Sequence, residues 1–356
     1  MSTITALRGA VLTGRRPAVA ARAGWVALFA VLLGLAVLAS VALGTRVVGW
    51  DAVQDGVAHA LGWRTGASAA DAVEAAAVEK RVPRTLLAML VGAALGLSGA
   101  VMQGVTRNPL ADPGLLGVTT GASLAVVASI AYLGVSSAAV QTWIAIGGAA
   151  GSAAFVYAVG SLGRGGATPL KLALAGSATS AAFVSLISVV MLPRQDLVNQ
   201  FRFWQIGGVG GATFERIGPI LPFLAVGLLF SLSTARGLNS LALGDDLAAG
   251  LGERTGRTRS VAFVGSVVLC GAATAMAGPI AFVGLLVPHS VRLLIGVDHR
   301  WLLPASALVG AVLLTVADVV GRVIARPEEI DVGVVTAFIG APLFIWIVRR
   351  QRVRSL

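Results

Sequence analysis

The sequence predicts an all-α integral membrane protein with about ten transmembrane helices, and three observations carry that prediction. Only 12% of the 356 residues are charged and 56% are hydrophobic, with a mean hydropathy of +0.87. A soluble domain of this size carries about 25% charged residues, and half of that cannot cover a globule in water. Chargeless or nearly chargeless runs of about 20 residues, the length that spans a bilayer, recur along the chain. The 45 glycines and the low aromatic content suit closely packed membrane helices, whose contacts favour small residues.

The first run, 24–44, follows Arg8, Arg15, Arg16 and Arg22 and so has the outline of a signal peptide, Arg15 and Arg16 hinting at the twin-arginine type. It is long enough to span and no small-x-small cleavage site ends it, so it reads as an uncleaved helix after a cytoplasmic segment, 1–23. Residues 45–83 read as a long outer loop. The second run, 85–105, stops at RNPLADPGLLGV (Arg107 to Val118), where Pro109 and Pro113 remove backbone donors. Runs at 114–133, 138–160 and 171–192 complete a first set of five. The second set lies at 216–234, 259–278, 280–296, 302–324 and 332–348, after which the chain has read as one transmembrane domain throughout.

An even number of passes puts both termini on one side. With that side taken as the cytoplasm, 17 of the 27 lysines and arginines fall inside and 10 outside. Acidic residues run the other way, 5 inside and 10 outside, with Asp318 left in a helix. The positive-inside rule therefore places the termini in the cytoplasm.

The net charge of +11 does not indicate nucleic acid, because the basic residues are scattered between apolar runs rather than gathered in a stripe; lipid is the expected surface partner. A single cysteine, Cys270, excludes an internal disulfide and a thiolate metal cluster. The two lysines, Lys80 and Lys171, follow Glu79 and Leu170, so the chain has no Gly-Lys-Ser/Thr phosphate loop. If ATP drives this protein, the ATPase is another polypeptide. His289 follows Pro288 and could serve as a metal ligand, but His59 and His299 fall in predicted loops on opposite sides. No metal site is expected, and His289 reads as helix-end packing.

The long loop 235–258 contains LNSLALGDDLAAGLGER. Leu243, Leu247 and Leu251 would share one face of a short cytoplasmic helix, with Asp245 and Asp246 near its start, where a helix dipole favours negative charge. The pattern fits a solvated surface helix or, given its apolar face, a docking element for a soluble partner. A weak internal repeat relates GAALGLSG (Gly92 to Gly99) to GAATAMAG (Gly271 to Gly278). The copies lie five helices apart and so run in opposite directions, as in the inverted repeats of transporters, although an Ala/Gly-rich chain can produce such a match by chance.

Several motifs in one order then carry a family resemblance: RVPR (Arg81 to Arg84), GAALGLSGAVMQ, RNPLADPGLLGV, LALGDDLAAGLG, GPIAFVGLLVPHSVRLLIGVDHRWLLP, ADVVGR ending at Arg322, and FIGAPLFIWIVRR. Together they resemble the FecCD-type permeases, the membrane subunits of ATP-binding-cassette (ABC) importers for iron–siderophores, haem and cobalamin. The resemblance runs from Arg81 to Arg350. Within the family, FRFWQIGG, LNSLALG, VLCGAATA and VDHRWLLP are most similar to the ferric-enterobactin type of permease.

The resemblance implies an inverted 5+5 subunit of the bacterial inner membrane that pairs with an identical or homologous second permease around a translocation path. It implies ABC ATPases below, which hold the ATP and Mg, and an extracytoplasmic substrate-binding protein above; the chain itself would carry no cofactor and catalyse nothing. Leu243, Gly244, Asp245, Asp246, Leu251 and Gly252 match the family's coupling to the ATPase. Asn108 and Leu110 match a cytoplasmic gate. Thr168, Pro169 and Leu170 fall at the second gate, where this chain departs from the small hydroxyl residues of the cobalamin permease. Arg81, Arg84 and Arg322 match arginines that pair with carboxylates of the binding protein; for Arg322 the alternative is an i,i+4 pair with Asp318. Another departure is Asp331, where the family commonly has Pro.

The expected function is thus the permease subunit of an importer for an iron(III)-siderophore, of catecholate type, with haem or cobalamin as alternative cargo. An ion-coupled secondary transporter would need ionisable groups near the membrane midplane. Asp318, the one carboxylate clearly within a predicted span, lies toward the outer end.

Overall fold

The computed structural model describes residues 19–63, 72–162, 168–194, 201 and 204–354. Arg8, Arg15 and Arg16 of the N-terminal segment, and the Arg-Phe pair at 202–203 of the FRFWQIGG motif, lie outside the described residues.

The helices are α1 (Val19–Ala42), α2 (Trp50–Ala60), α3 (Ala72–Thr106), α4 (Val118–Leu133), α5 (Ala138–Ser161) and α6 (Pro169–Met191). After them come α7 (Leu221–Ser233, entered through a turn at Phe214–Ile217), α8 (Ala235–Leu241), α9 (Asp245–Gly250), α10 (Thr255–Ala277), α11 (Val283–Ile295), α12 (His299–Ile324) and α13 (Val332–Arg354). Seven segments are long and apolar enough to cross a bilayer, and three shorter apolar helices, α4, α11 and the first part of α13, bring the described passes to the expected ten. The start of α1 and the end of α13 lie at the same end of the bundle, here the termini face. The opposite end is the far face.

The largest departure from the sequence reading is α3. It begins at Ala72 rather than 85 and runs for 35 residues, about 52 Å at 1.5 Å per residue against a hydrocarbon core of about 30 Å. Glu74, Glu79, Lys80, Arg81 and Arg84 hide its first turns from a hydropathy window. The overhang is propped by α2, whose Ala52 and Val53 are buried and whose Gly56 lies so close to α3 that an added Cβ would sit 2.5 Å from the Cβ of Val78. Of the stretch 45–83, Trp50–Ala60 and the residues from Ala72 onward are helical and form a ledge on the far face, while residues 64–71 lie outside the described residues.

Helix α3 is the centre of the bundle, packed against α1, α2, α10, α11 and α12. Its glycines let neighbouring backbones touch: a Cβ on Gly92 would lie 2.3 Å from the carbonyl oxygen of Gly310, and one on Gly99 would lie 2.0 Å from that of Gly284. The packing repeats between the two sets of five. The pairs α1·α3, α3·α11, α3·α12, α4·α5, α4·α6 and α5·α6 recur as α7·α10, α10·α4, α10·α5, α11·α12, α11·α13 and α12·α13. Gly271, the sequence counterpart of Gly92, faces Ala149 of α5, as Gly92 faces α12. The inverted repeat suggested by two octapeptides is thus carried by the whole bundle.

Overpacking ordinarily costs about 1–3 kcal/mol, and more is expected where the obstacle is backbone. Gly99→Val should therefore cut the monodisperse fraction on size exclusion in detergent. Gly147→Val, with nothing within 4 Å of the added Cβ, should leave the elution profile unchanged.

Candidate functional site

At the termini face, α8 and α9 form a compact reversal between α7 and α10. Gly244 and Gly252 bracket α9 at φ of 104° and 82°, values that L side chains rarely adopt. Asp245 and Asp246 fall in the first turn of α9, as the sequence indicated. Leu243, Leu247 and Leu251 are 58%, 63% and 69% exposed, whereas Leu241 is fully buried. The five leucines of this loop thus divide into two buried anchors, Leu238 and Leu241, and three that face solvent.

Two polar tethers hold this element. Asn239 donates through Nδ2 to Asp298 Oδ1 at 2.7 Å, and its Oδ1 accepts from the backbone N–H of His299 at 2.9 Å. Asp298 also caps α12 by accepting from the N–H of Arg300, and Arg22 of α1 reaches it at 3.5 Å. Hydrogen bonding from Arg300 holds the Asp298 carboxyl well below the usual carboxylate range. His299, expected in a loop, instead opens α12 and is buried. The second tether is Asp245, whose Oδ1 accepts from Arg107 Nη2 at 3.1 Å and from Arg259 Nη2 at 2.8 Å. All three side chains are partly open to solvent, where an ion pair contributes only about 0.2–1 kcal/mol. The contact positions more than it stabilises.

Arg107 immediately precedes Asn108, so the coupling loop and the gate loop named from sequence are joined through it. Asn108 Oδ1 accepts from the N–H of Leu110 at 2.9 Å, an Asx turn, and both residues are exposed. Asp112 turns inward: Oδ1 accepts from the N–H of Gly114 at 2.7 Å, capping the 3-10 turn Pro113–Leu116, while Oδ2 lies against Gly284 of α11. Burial pushes its carboxyl up. The sequence reading passed over Asp112, although Asp-Pro-Gly is the signature of such a cap. Thr168 caps α6 by accepting from the N–H of Lys171 at 3.4 Å, Pro169 sits in the first turn, and Leu170 is exposed. Helix α6 packs on the Pro113–Leu116 turn, with Ser180 accepting across from Thr120 at 3.3 Å.

At the far face Arg81, Arg84 and Arg322, which the resemblance matches to docking arginines, are engaged by groups of this chain itself. Arg81 is buried and donates to the carbonyls of Val41, Ala42 and Arg46 at 2.8–3.1 Å. Arg84 grips Asp318, with Nε–Oδ1 at 3.0 Å and Nη2–Oδ1 at 2.8 Å, and reaches Glu329 at 2.6 Å. Arg322 pairs with Asp318 Oδ2 at 3.0 Å and donates to Ser40 Oγ at 2.7 Å. The i,i+4 pair that was the alternative for Arg322 is present, enlarged by Arg84 of α3. The side chains of Asp318 and Arg322 are 1% and 2% exposed, so the cluster staples α1, α3 and α12 together from within. The cations open to solvent beside it are Arg46, Lys80 and Arg326. Arg46, Lys80 and the three buried arginines, with Glu329, line a cavity of about 820 Å³.

Asp331, where the resemblance led us to expect Pro, packs its carboxylate against Gly208, and its backbone oxygen accepts from the N–H of Val334 at 3.0 Å. The next turn of this segment, through the N–H of Gly333, bonds the carbonyl of Gly207 at 3.0 Å, which ties the loop before α7 to the start of α13. Burial pushes the Asp331 carboxyl up, with Arg84 opposing it.

Among the described residues no group of three His, Cys, Asp or Glu is placed to hold a metal ion. What the fold assembles is a polytopic membrane bundle with inverted halves, an exposed apolar helix at one face and a basic cavity at the other: a transport subunit. The chain belongs to the FecCD transport family, whose model matches residues 28–350. It is 48% identical over 275 residues (77% of this chain, 82% of the relative) to the ferric enterobactin transport system permease protein FepD of Escherichia coli K12. It is 42% identical over 275 residues to the Fe(3+) dicitrate transport system permease protein FecD of the same strain, covering 77% of this chain and 85% of that one. Identity is 41% over 285 residues to the hemin transport system permease protein HmuU of Yersinia pestis, covering 76% and 82%. A solved structure of a metal-chelate type ABC transporter in an inward-facing conformation superposes with a TM-score of 0.78 at 29% identity, covering 92% of this chain and 99% of that one.

Removing one partner from a buried ion pair costs about 3–5 kcal/mol because the other charge is left unpaired. Arg322→Ala and Asp318→Ala should each lower the melting temperature of the detergent-purified protein by several degrees. An unchanged melting temperature for Arg322→Ala would restore it as a free docking residue.

Proposed function

We propose that this chain is the permease subunit of an ABC importer that carries an iron(III)-siderophore, of catecholate type, into the cytoplasm, with both termini on the cytoplasmic side of the inner membrane. The observation that carries this reading is the trio of exposed leucines on and flanking α9, Leu243, Leu247 and Leu251, held at the termini face by Asp245 and Asn239. An apolar face of that kind in water calls for a soluble partner, and the chain's family points to an ATPase that binds ATP and Mg. The catecholate cargo rests on the 48% identity with FepD; relatives named for dicitrate and hemin mark the alternatives.

On this reading Asn108 and Leu110, with Thr168, Pro169 and Leu170, form the cytoplasmic gate. A second permease, identical or homologous, covers the apolar faces of α6 and α13, where Leu174, Val189, Phe338 and Ile345 are exposed. A substrate-binding protein meets the far face through Arg46, Lys80 and Arg326, while Arg81, Arg84 and Arg322 hold the ledge beneath it in place.

Two experiments test the reading. Affinity purification of the chain in mild detergent should bring down an ATPase subunit, and the Leu247→Ser, Leu251→Ser double variant should release it while the chain still elutes as a monodisperse species. In proteoliposomes of the purified complex with its binding protein, uptake should require ATP inside. Uptake driven by a proton gradient alone would refute the ABC assignment. Ferric catecholate, ferric hydroxamate, ferric citrate and haem compared at equal concentration decide the cargo.

A further inference from the structure

The two cytoplasmic elements are joined by one carboxylate. Asp245 is the first residue of α9, and Arg107 is the residue immediately before the Asn108–Leu110 turn. They are 138 positions apart in sequence, yet Arg107 Nη2 lies 3.1 Å from Asp245 Oδ1. Arg107 is also held at φ +50°, a left-handed conformation uncommon for a residue with a side chain. Its backbone therefore turns where its side chain is gripped. The same carboxylate oxygen accepts from Arg259 at 2.8 Å, and Arg259 lies in the first turns of the long helix α10. Arg259 thus fixes the direction of the carboxylate, and Arg107 is the partner that belongs to the short, exposed loop.

We infer that the Asp245–Arg107 pair is the link through which displacement of α9 reaches the Asn108–Leu110 turn. Both residues are positioning residues: neither touches cargo or nucleotide, and each acts through the turn. When a partner pushes α9, Asp245 moves with the helix start and carries Arg107, and the turn next to it shifts in the same direction. The contact is exposed enough to be remade in each cycle. Without it the leucine face would still hold its partner, but the partner's motion would no longer be delivered to this loop.

The inference rests on the proposed ATPase docking at α9, and the test separates the two. The complex purified from the native host is reconstituted with its binding protein in proteoliposomes, and transport and ATP hydrolysis are measured together. Arg107→Gln is expected to lower cargo moved per ATP hydrolysed by roughly fivefold or more, with co-purified ATPase and hydrolysis rate close to wild type. Asp245→Asn, which also releases Arg259, should lower the same ratio, and the double variant should be no worse than Asp245→Asn alone, because the Arg107 contact is already lost there. Arg107→Lys, which keeps a cation at that position, should restore much of the ratio. An unchanged ratio in Arg107→Gln, or losses that add in the double variant, would overturn the link while leaving docking intact. Failure of any ATPase to co-purify with the wild-type chain would overturn the docking assignment, and the link with it.

Discussion

Everything else in this fold depends on how closely α3 is approached by its neighbours. In lipid there is no hydrophobic gain from bringing two apolar helices together, so association rests on contact distance and on polar groups satisfied between helices. Gly92, Gly96 and Gly99 remove side chains along one stripe of α3, and the backbones of α12 and α11 fill that space. Polar groups then lock the packing: Gln103 donates to the carbonyl of Gly284 at 3.2 Å, and Ser266 of α10 donates to that of Ser98 at 2.9 Å. The second half of the chain applies the same solution around α10, which is why the two halves can share a packing scheme while their sequences differ.

The two faces of the bundle use charge in opposite ways. At the far face Arg81 and Arg322 are buried, Arg84 is nearly so, and the carboxylate Asp318 that Arg84 and Arg322 share is among the least exposed polar groups described. Such a cluster resists removal of any member and fixes the relative heights of three helices. At the termini face the charges are open and weakly paired, suited to contacts that form and break. One face is thus closed by buried ion pairs and the other by solvent-open ones.

Much of this was legible in the sequence. Hydropathy runs located all ten passes because each must satisfy its own backbone in lipid, and leucine spacing together with a paired aspartate located α9. The start of α3 was not legible, because charged residues on a helix that leaves the bilayer look like a loop in any apolar window. The roles of Arg81, Arg84 and Arg322 could not be read for a different reason. Arg84 finds Asp318 at a separation of 234 residues and Arg322 finds Ser40 at 282, so motif position revealed that they matter without revealing whether they face outward or inward. The same holds for Arg107, whose positive charge fitted the inside count but whose partner lies in the opposite half of the chain.

The length of α3 has a mechanical consequence. One helix carries the ledge at its far-face end and delivers the chain into the Arg107 turn at its termini-face end, and its closest backbone contacts run from Gly92 and Gly96 against α12 to Gly99 against α11. Those contacts pin it over several turns, so any shift of this helix must carry α11 and α12 with it.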